Sequence, residues 1–167
     1  IFAGNAALAG SLPQPVTDND YHDNGRPDIA KVALGKNLFF DKVLSGNLNI
    51  SGATCHHALT DTGDGLALPV GEGGSGLGIS RNTGSGDDQI HERVPRNAPP
   101  VFNLGARHFS VMFHDGRIEN NPSQPSGFIN PAGDDLPPGL DNALAVQAMF
   151  PVTSPAEMAG QPGENPQ

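Results

Sequence analysis

Three features of the chain predict a mostly α domain with long glycine- and proline-rich loops. Apolar residues recur at helical spacing after Asp28, further helical runs follow near residue 142 and residue 155, and no segment reads as a strand of a large sheet. The 167 residues include 22 glycines and 16 prolines, and Val, Leu, Ile and Phe together only just exceed the share below which chains stay unfolded. Such a chain has many turns and a thin core. One domain is expected at this length, held in part by a cofactor or a partner as well as by apolar burial.

Residues 1–27 show no periodicity and end in the turn signal Asp23-Asn24-Gly25-Arg26-Pro27, so they are expected to form an extended arm. Ile29, Val32, Ala33, Phe39 and Phe40 then recur at helical spacing, with Pro27 suited to a first helical turn. This predicts a helix over 28–40. Ser51 stands where a cap belongs for a short helix running from Gly52 to Leu59, which would contain Cys55, His56 and His57. Residues 63–100 have neither a helical nor a strand period, and a segment of that kind is either a functional loop or a disordered one. Asp115-Gly116 makes a tight turn, and 121–140 are again rich in Pro and Gly. Asp141 is placed to cap a helix over Asn142–Phe150, and Ser154-Pro155-Ala156-Glu157 has the form of a capping box that opens a last helix.

Lys+Arg number 9 against 18 Asp+Glu, a formal net charge of −9. That balance excludes a nucleic-acid footprint and disfavours anionic membranes. No run approaches the about 18 apolar residues that a membrane span needs. The single cysteine, Cys55, excludes an intrachain disulfide and a zinc site built on paired CxxC motifs. A first residue of Ile instead of Met points to a removed leader, hence to a periplasmic or secreted protein.

Among motifs, Gly71-Glu72-Gly73-Gly74-Ser75-Gly76 formally matches GxGxxG, but no strand precedes it and no helix follows. Its glycines are better explained by backbone passing close to something bulky. Cys55-His56 is the end of the c-type haem sequence C-x-x-C-H with Gly52 in place of the first cysteine, so at most one thioether can form. Taken alone, such a pair is more often a buried thiol beside a surface histidine. Glu157, at the third position of the Ser154 capping box, reads locally as a helix cap. His91, His108 and His114 are separated by loops and form no helical metal pair, and Arg96 and Arg117 are suited to surface carboxylates or to haem propionates. Asn49-Ile50-Ser51 matches a glycosylation sequon but is given no weight.

Six blocks taken in order carry more: Leu34 to Asp41, Leu44-Ser45, Cys55-His56, Pro95-Arg96-Asn97-Ala98-Pro99, Phe113-His114-Asp115-Gly116-Arg117, and Pro151-Val152 through Glu157-Met158. From about residue 28 to 160 the chain resembles the N-terminal, peroxidatic haem domain of the bacterial dihaem cytochrome c peroxidase and MauG family. The resemblance implies a cytochrome c-like haem domain over 28–167, with one haem c attached by a single thioether to Cys55 and ligated at its iron by His56. It further implies His91 as a candidate sixth ligand, Gln147 and Glu157 as distal catalytic groups, and Arg96 and Arg117 as cofactor-binding residues. Asn97 would be half of a calcium site at the interface with a second haem domain, which this chain lacks. His114 stands where the family usually has Trp.

The activity so implied is reduction of hydrogen peroxide, or use of high-valent iron to oxidise a partner. The second haem would come from another chain or a cleaved C-terminal domain, and an electron donor protein would feed it. The rival reading is a non-enzymatic electron-transfer or structural subunit with permanently six-coordinate iron, and a third is a haem-free scaffold. Because ligation makes binding free energy part of folding free energy, the haem-free chain is expected to be largely unfolded. A cooperative thermal transition of haem-free protein matching that of the loaded form would overturn this.

Overall fold

The computed structural model describes residues 12–161. Residues 1–11 of the expected arm and 162–167 of the expected haem domain lie outside the described residues. Helix α1 is Ile29–Phe40, α2 is Gly52–Cys55, α3 is Ala143–Gln147 and α4 is Phe150–Thr153. Strands β1 (Val111–Met112), β2 (Ile118–Asn120) and β3 (Phe128–Ile129) form a small antiparallel sheet in that order. Short 3-10 turns and irregular backbone make up most of the remainder.

α1 begins where expected, but Asp28 starts it, and not Pro27. The Asp28 carboxylate accepts from the N–H groups of Ala30 (2.8 Å) and Lys31 (3.2 Å), closing two of the helix's orphan donors. The apolar spacing of α1 does not become a buried stripe. Every residue but Phe39 is exposed, Ile29 to 76%, and the helix packs through Phe39 on α2, where Gly52 leaves room for the ring.

The apolar core lies elsewhere. Met112, Ile118 and Phe128 occupy the inward positions of the sheet, while Val111, Glu119 and Ile129 face out, as the two-residue period of paired strands requires. Register pairs Met112 with Ile118 and Asn120 with Phe128. Leu136, Ala143 and Val146 complete this cluster, with Phe109, Phe113 and Phe150 packed around it. Asn142, one residue later than the expected Asp141, caps α3 by accepting from Ala145 N–H at 2.8 Å. The expected helix to Phe150 stops at Gln147, and a separate turn, α4, begins at Phe150. Residues 18–24 dock on 103–107: Tyr21 pairs with Ala106 across a β-bridge and its hydroxyl donates to Asn103 at 2.6 Å.

Residues 63–100 take one defined path, and a buried arginine fixes its glycine-rich part. The Arg81 guanidinium donates to the carbonyls of Val70 (2.7 Å), Gly71 (2.6 Å) and Gly76 (3.0 Å), fixing the Gly-rich bend from inside. At Gly71 and Gly73 the bend is pressed against other backbone, and at Gly74 against the side chains of Val70 and Arg81. A Cβ on Gly71 would strike the carbonyl of Ala156 and lie 2.6 Å from that of Glu157, and one on Gly73, at φ +86°, would strike the carbonyl of Asp88. The C-terminal segment returns here: Glu72 N–H donates to Glu157 O (2.7 Å), and Gly46 N–H to Met158 O (2.9 Å).

Because the obstacle at Gly71 is main chain that cannot rotate aside, Gly71→Ala is expected to cost about 3 kcal/mol. A urea midpoint unchanged from that of the parent protein would refute this close packing.

Candidate functional site

Cys55 closes α2 and His56 turns the chain away from it. The Thr54 hydroxyl accepts from Ser51 N–H at 3.0 Å, and His56 N–H donates to Gly52 O at 2.9 Å, so the helix is a single locked turn. It ends at Cys55, with His56 at φ −106°, ψ 63° as its C-cap. The expected continuation to Leu59 fails because His57 leaves the helix to start a second turn, Ala58–Thr60, its Nδ1 accepting from Leu59 N–H.

The His56 ring is held by its Nδ1, which lies 2.9 Å from the carbonyl oxygen of Pro99 and 3.1 Å from that of Thr62. Both neighbours only accept, so Nδ1 carries a proton, which in the neutral ring leaves the lone pair on Nε2. A backbone carbonyl on the far nitrogen is how proteins orient a metal-ligating histidine. Each carbonyl has its own support. Thr62 belongs to a tight turn in which His57 N–H donates to Gly63 O (2.9 Å) and Thr62 N–H to His57 O (3.0 Å). Pro99 follows Ala98, whose N–H donates to the Asp64 carboxylate at 2.7 Å.

Asp64 is 5% exposed and also accepts from Leu66 N–H (2.7 Å) and from the side-chain amide of Asn97 (3.3 Å). Sequence reading missed it, although a lone Asp between Gly63 and Gly65 is a signal of turn chemistry. Asn97 sends its amide nitrogen to Leu66 O (2.6 Å) as well, so that nitrogen is committed to the Asp64 loop. Among the described residues no group of three or more His, Cys, Asp or Glu side chains could hold a metal ion.

Burial pushes the Cys55 thiol up to about 11; Arg81 opposes the shift, while Asp64 and Glu157 add to it. Those three charged side chains are therefore the thiol's electrostatic surroundings. Apolar side chains stand exposed nearby. Leu59, in the turn just after His57, is 89% exposed; Ile79, in the turn Gly78–Ser80 that packs on it, is 78% exposed. Val101, tied to Thr62 through a 2.9 Å bond, and Phe102 are exposed too. Large apolar side chains left in solvent around a polar centre mark a place for a bulky apolar group.

Glu157 is not a helix cap. Ser154 makes no side-chain cap bond, and its carbonyl collects the N–H groups of Glu157 (3.1 Å), Met158 (3.1 Å) and Ala159 (3.0 Å) in a wide π-type turn, Pro155–Ala159. The carboxylate is half-buried and free of the role assigned to it by local pattern. Gln147 is half-buried at the end of α3. His91 borders a small cavity with Glu72, Asp88, Glu92 and Ala156, which places it beside the turn that carries Glu157. The two expected anion-binding arginines are exposed and engaged. Arg96 Nη2 lies 3.1 Å from His114 Nε2, and Arg117 pairs with Asp115 at 2.9 Å while lying 3.7 Å over the Phe113 ring. Arg81 and Glu72, each buried, were not singled out by sequence: Arg81 sits in no recognisable motif, and Glu72 occupies a variable position of the glycine pattern 71–76.

A thiol directly followed by a histidine whose proton is fixed on Nδ1, set among exposed apolar side chains, is a donor set that fits a c-type haem. As a thioether the Cys55 sulfur would carry no charge, so the burial that disfavours its thiolate does not disfavour attachment.

The chain belongs to the di-haem cytochrome c peroxidase family, whose model matches residues 29–166. It is 33% identical over 129 residues to the methylamine utilization protein MauG of Methylorubrum extorquens, covering 77% of this chain and 24% of that protein. It is 32% identical over 125 residues to the cytochrome c551 peroxidase of Pseudomonas aeruginosa, covering 74% of this chain and 30% of the relative. A cytochrome-c peroxidase, IdrP2, of a Pseudomonas species is 34% identical over 90 residues, 54% of this chain and 19% of its own. The chain thus spans less than a third of the length of these relatives. No solved structure matches it significantly.

Asp64 holds both the Asn97–Pro99 segment and, through Ala98, the carbonyl that orients His56. Asp64→Ala is expected to lower stability by about 3 kcal/mol, measured by chemical denaturation; a loss below about 0.5 kcal/mol would show the carboxylate to be dispensable.

Proposed function

We propose that this chain is a c-type haem domain with a cytochrome c-like fold, the peroxide-reacting part of a dihaem peroxidase-like assembly. The observation that carries the proposal is the pair of carbonyls on His56 Nδ1, which leaves Nε2 as the iron-binding nitrogen next to the one cysteine able to form a thioether. The haem so held would supply the binding site for peroxide and the path for its electrons. Two electrons and two protons convert hydrogen peroxide to two waters.

The task of this chain is to manage the protons. Glu157 would take a proton from one oxygen of the peroxide and return it to the leaving oxygen, work suited to a carboxylate that no helix terminus has claimed. Gln147 orients the peroxide. Arg96 and Arg117, both exposed and paired with His114 and Asp115, would be the residues to hold the haem's propionates. Asn97 keeps its amide oxygen for a calcium ion shared with a second haem domain, supplied by another chain or another part of the same protein. The electrons come from a donor protein, and the assembly works in the periplasm or outside the cell. Among the described residues no helix is long and apolar enough to cross a membrane.

The second reading, an electron-transfer subunit in which His91 occupies the sixth iron position permanently, is separated by spectroscopy. Absorption and EPR spectra of the loaded protein, before and after one-electron reduction and after added peroxide, are expected to show conversion to a high-spin form that reacts with peroxide. An unchanged low-spin bis-histidine signal would establish the second reading, and oxidation of a protein or organic partner by the peroxide-treated form would mark the MauG-like outcome.

Attachment is tested by extraction into acidified acetone. Haem is expected to stay with the parent chain, to leave Cys55→Ser completely while that variant keeps its Soret band, and not to be bound by His56→Ala. Retention of haem by Cys55→Ser after extraction would refute the thioether.

A further inference from the structure

Arg81 is a buried cation whose hydrogen bonds all end on uncharged groups. Its side chain is 7% exposed, and its three hydrogen bonds end on the carbonyl oxygens of Val70, Gly71 and Gly76. Peptide carbonyls solvate a guanidinium but carry no net charge, and none of its described bonds ends on a carboxylate. Its place in the fold is next to the haem-binding residues proposed above. Arg81 directly follows the turn Gly78–Ser80, which packs on Ala58–Thr60, and a Cβ on Gly78 would lie 3.8 Å from His57 Nδ1 and 3.7 Å from Thr60. Arg81 is also the first charged neighbour that the Cys55 thiol senses, and Glu72, 5% exposed, is the carboxylate that Arg81 senses.

We propose that Arg81 raises the reduction potential of the haem held at Cys55 and His56, acting as a fixed positive charge in addition to bracing the glycine-rich loop. This rests on the haem reading above. The ferric state has one more positive charge than the ferrous state, so a nearby cation in a poorly polarisable surrounding disfavours the ferric state. The same charge on the surface would be screened by salt, whereas burial protects it. Arg81 is on this view a positioning residue in the electrostatic sense: it touches neither peroxide nor iron.

The test is a spectroelectrochemical titration of the haem-loaded protein and three variants. Arg81→Lys keeps the charge and is expected to hold the midpoint at the parent value. Arg81→Gln keeps a donor but removes the charge, and its midpoint is expected to move to more negative potential. Glu72→Gln removes the opposing charge with almost no change of shape, and its midpoint is expected to move the other way. Equal shifts in the Lys and Gln variants would make Arg81 a brace alone and overturn the proposal, as would no shift in either. Should Arg81→Gln fail to fold, Glu72→Gln decides: a positive shift supports the proposal, and an unmoved midpoint overturns it. A parent chain that takes up no haem overturns the haem reading and this proposal together, whereas a loaded chain with unresponsive midpoints overturns this one only.

Discussion

The bonds from Arg81 to three carbonyls are the constraint on which the Cys55 half of the molecule depends. They fix Gly71, and Gly71 in turn lies so close to Ala156 and Glu157 that no side chain fits between. The neighbouring Glu72 N–H bonds the Glu157 carbonyl, so a side chain in a long loop determines where a residue far along the sequence is held. A hydrocarbon core does this by area; here it is done by direction, with charge-assisted bonds that tolerate little displacement.

The molecule is consequently built in two styles. The sheet, α3 and α4 bury Met112, Ile118, Phe128 and Val146 in an ordinary apolar cluster. Around Cys55 the fixed points are Asp64, Arg81 and the His56 ring, each polar and each satisfied mainly by backbone. Apolar side chains near them face outward. α1 extends this pattern, since Ile29 and Phe40 lie on one side of the helix, Leu34 and Leu38 on the opposite one, and all are exposed. Helices apolar on every side belong in interiors, so both surfaces have the character of an interior that the chain alone does not enclose.

Local pattern made α1, the Ser51-capped turn and the Cys55-His56 pair legible, because caps and adjacent residues act over a few positions. It failed where a distant partner intervened. Ser154 and Glu157 stand at capping-box spacing, yet the Glu157 carbonyl must meet Glu72 N–H, and the backbone opens into a π-type turn to allow it. Asp141 and Asn142 are both good caps, and nothing in their immediate sequence ranks them. The glycines of 71–76 were legible as a close approach, but not what they approach, because the carbonyls of Ala156 and Asp88 come from other segments. Arg81 gave no signal, and Asp64 only that of a turn: their partners are mainly main-chain groups, which every residue has.

The shielding of Cys55 bears on the order in which the protein is matured. The thiolate is the reactive form of cysteine, and burial that pushes the thiol up to about 11 leaves less of it near neutrality once the fold is complete. The charged groups the thiol senses come from residues 64, 81 and 157, far apart in sequence, so these surroundings exist only in the folded chain. In the proposed holoprotein, covalent attachment is therefore favoured on the nascent or unfolded chain, and folding afterwards seals the bond into a place where the same reaction would be slow.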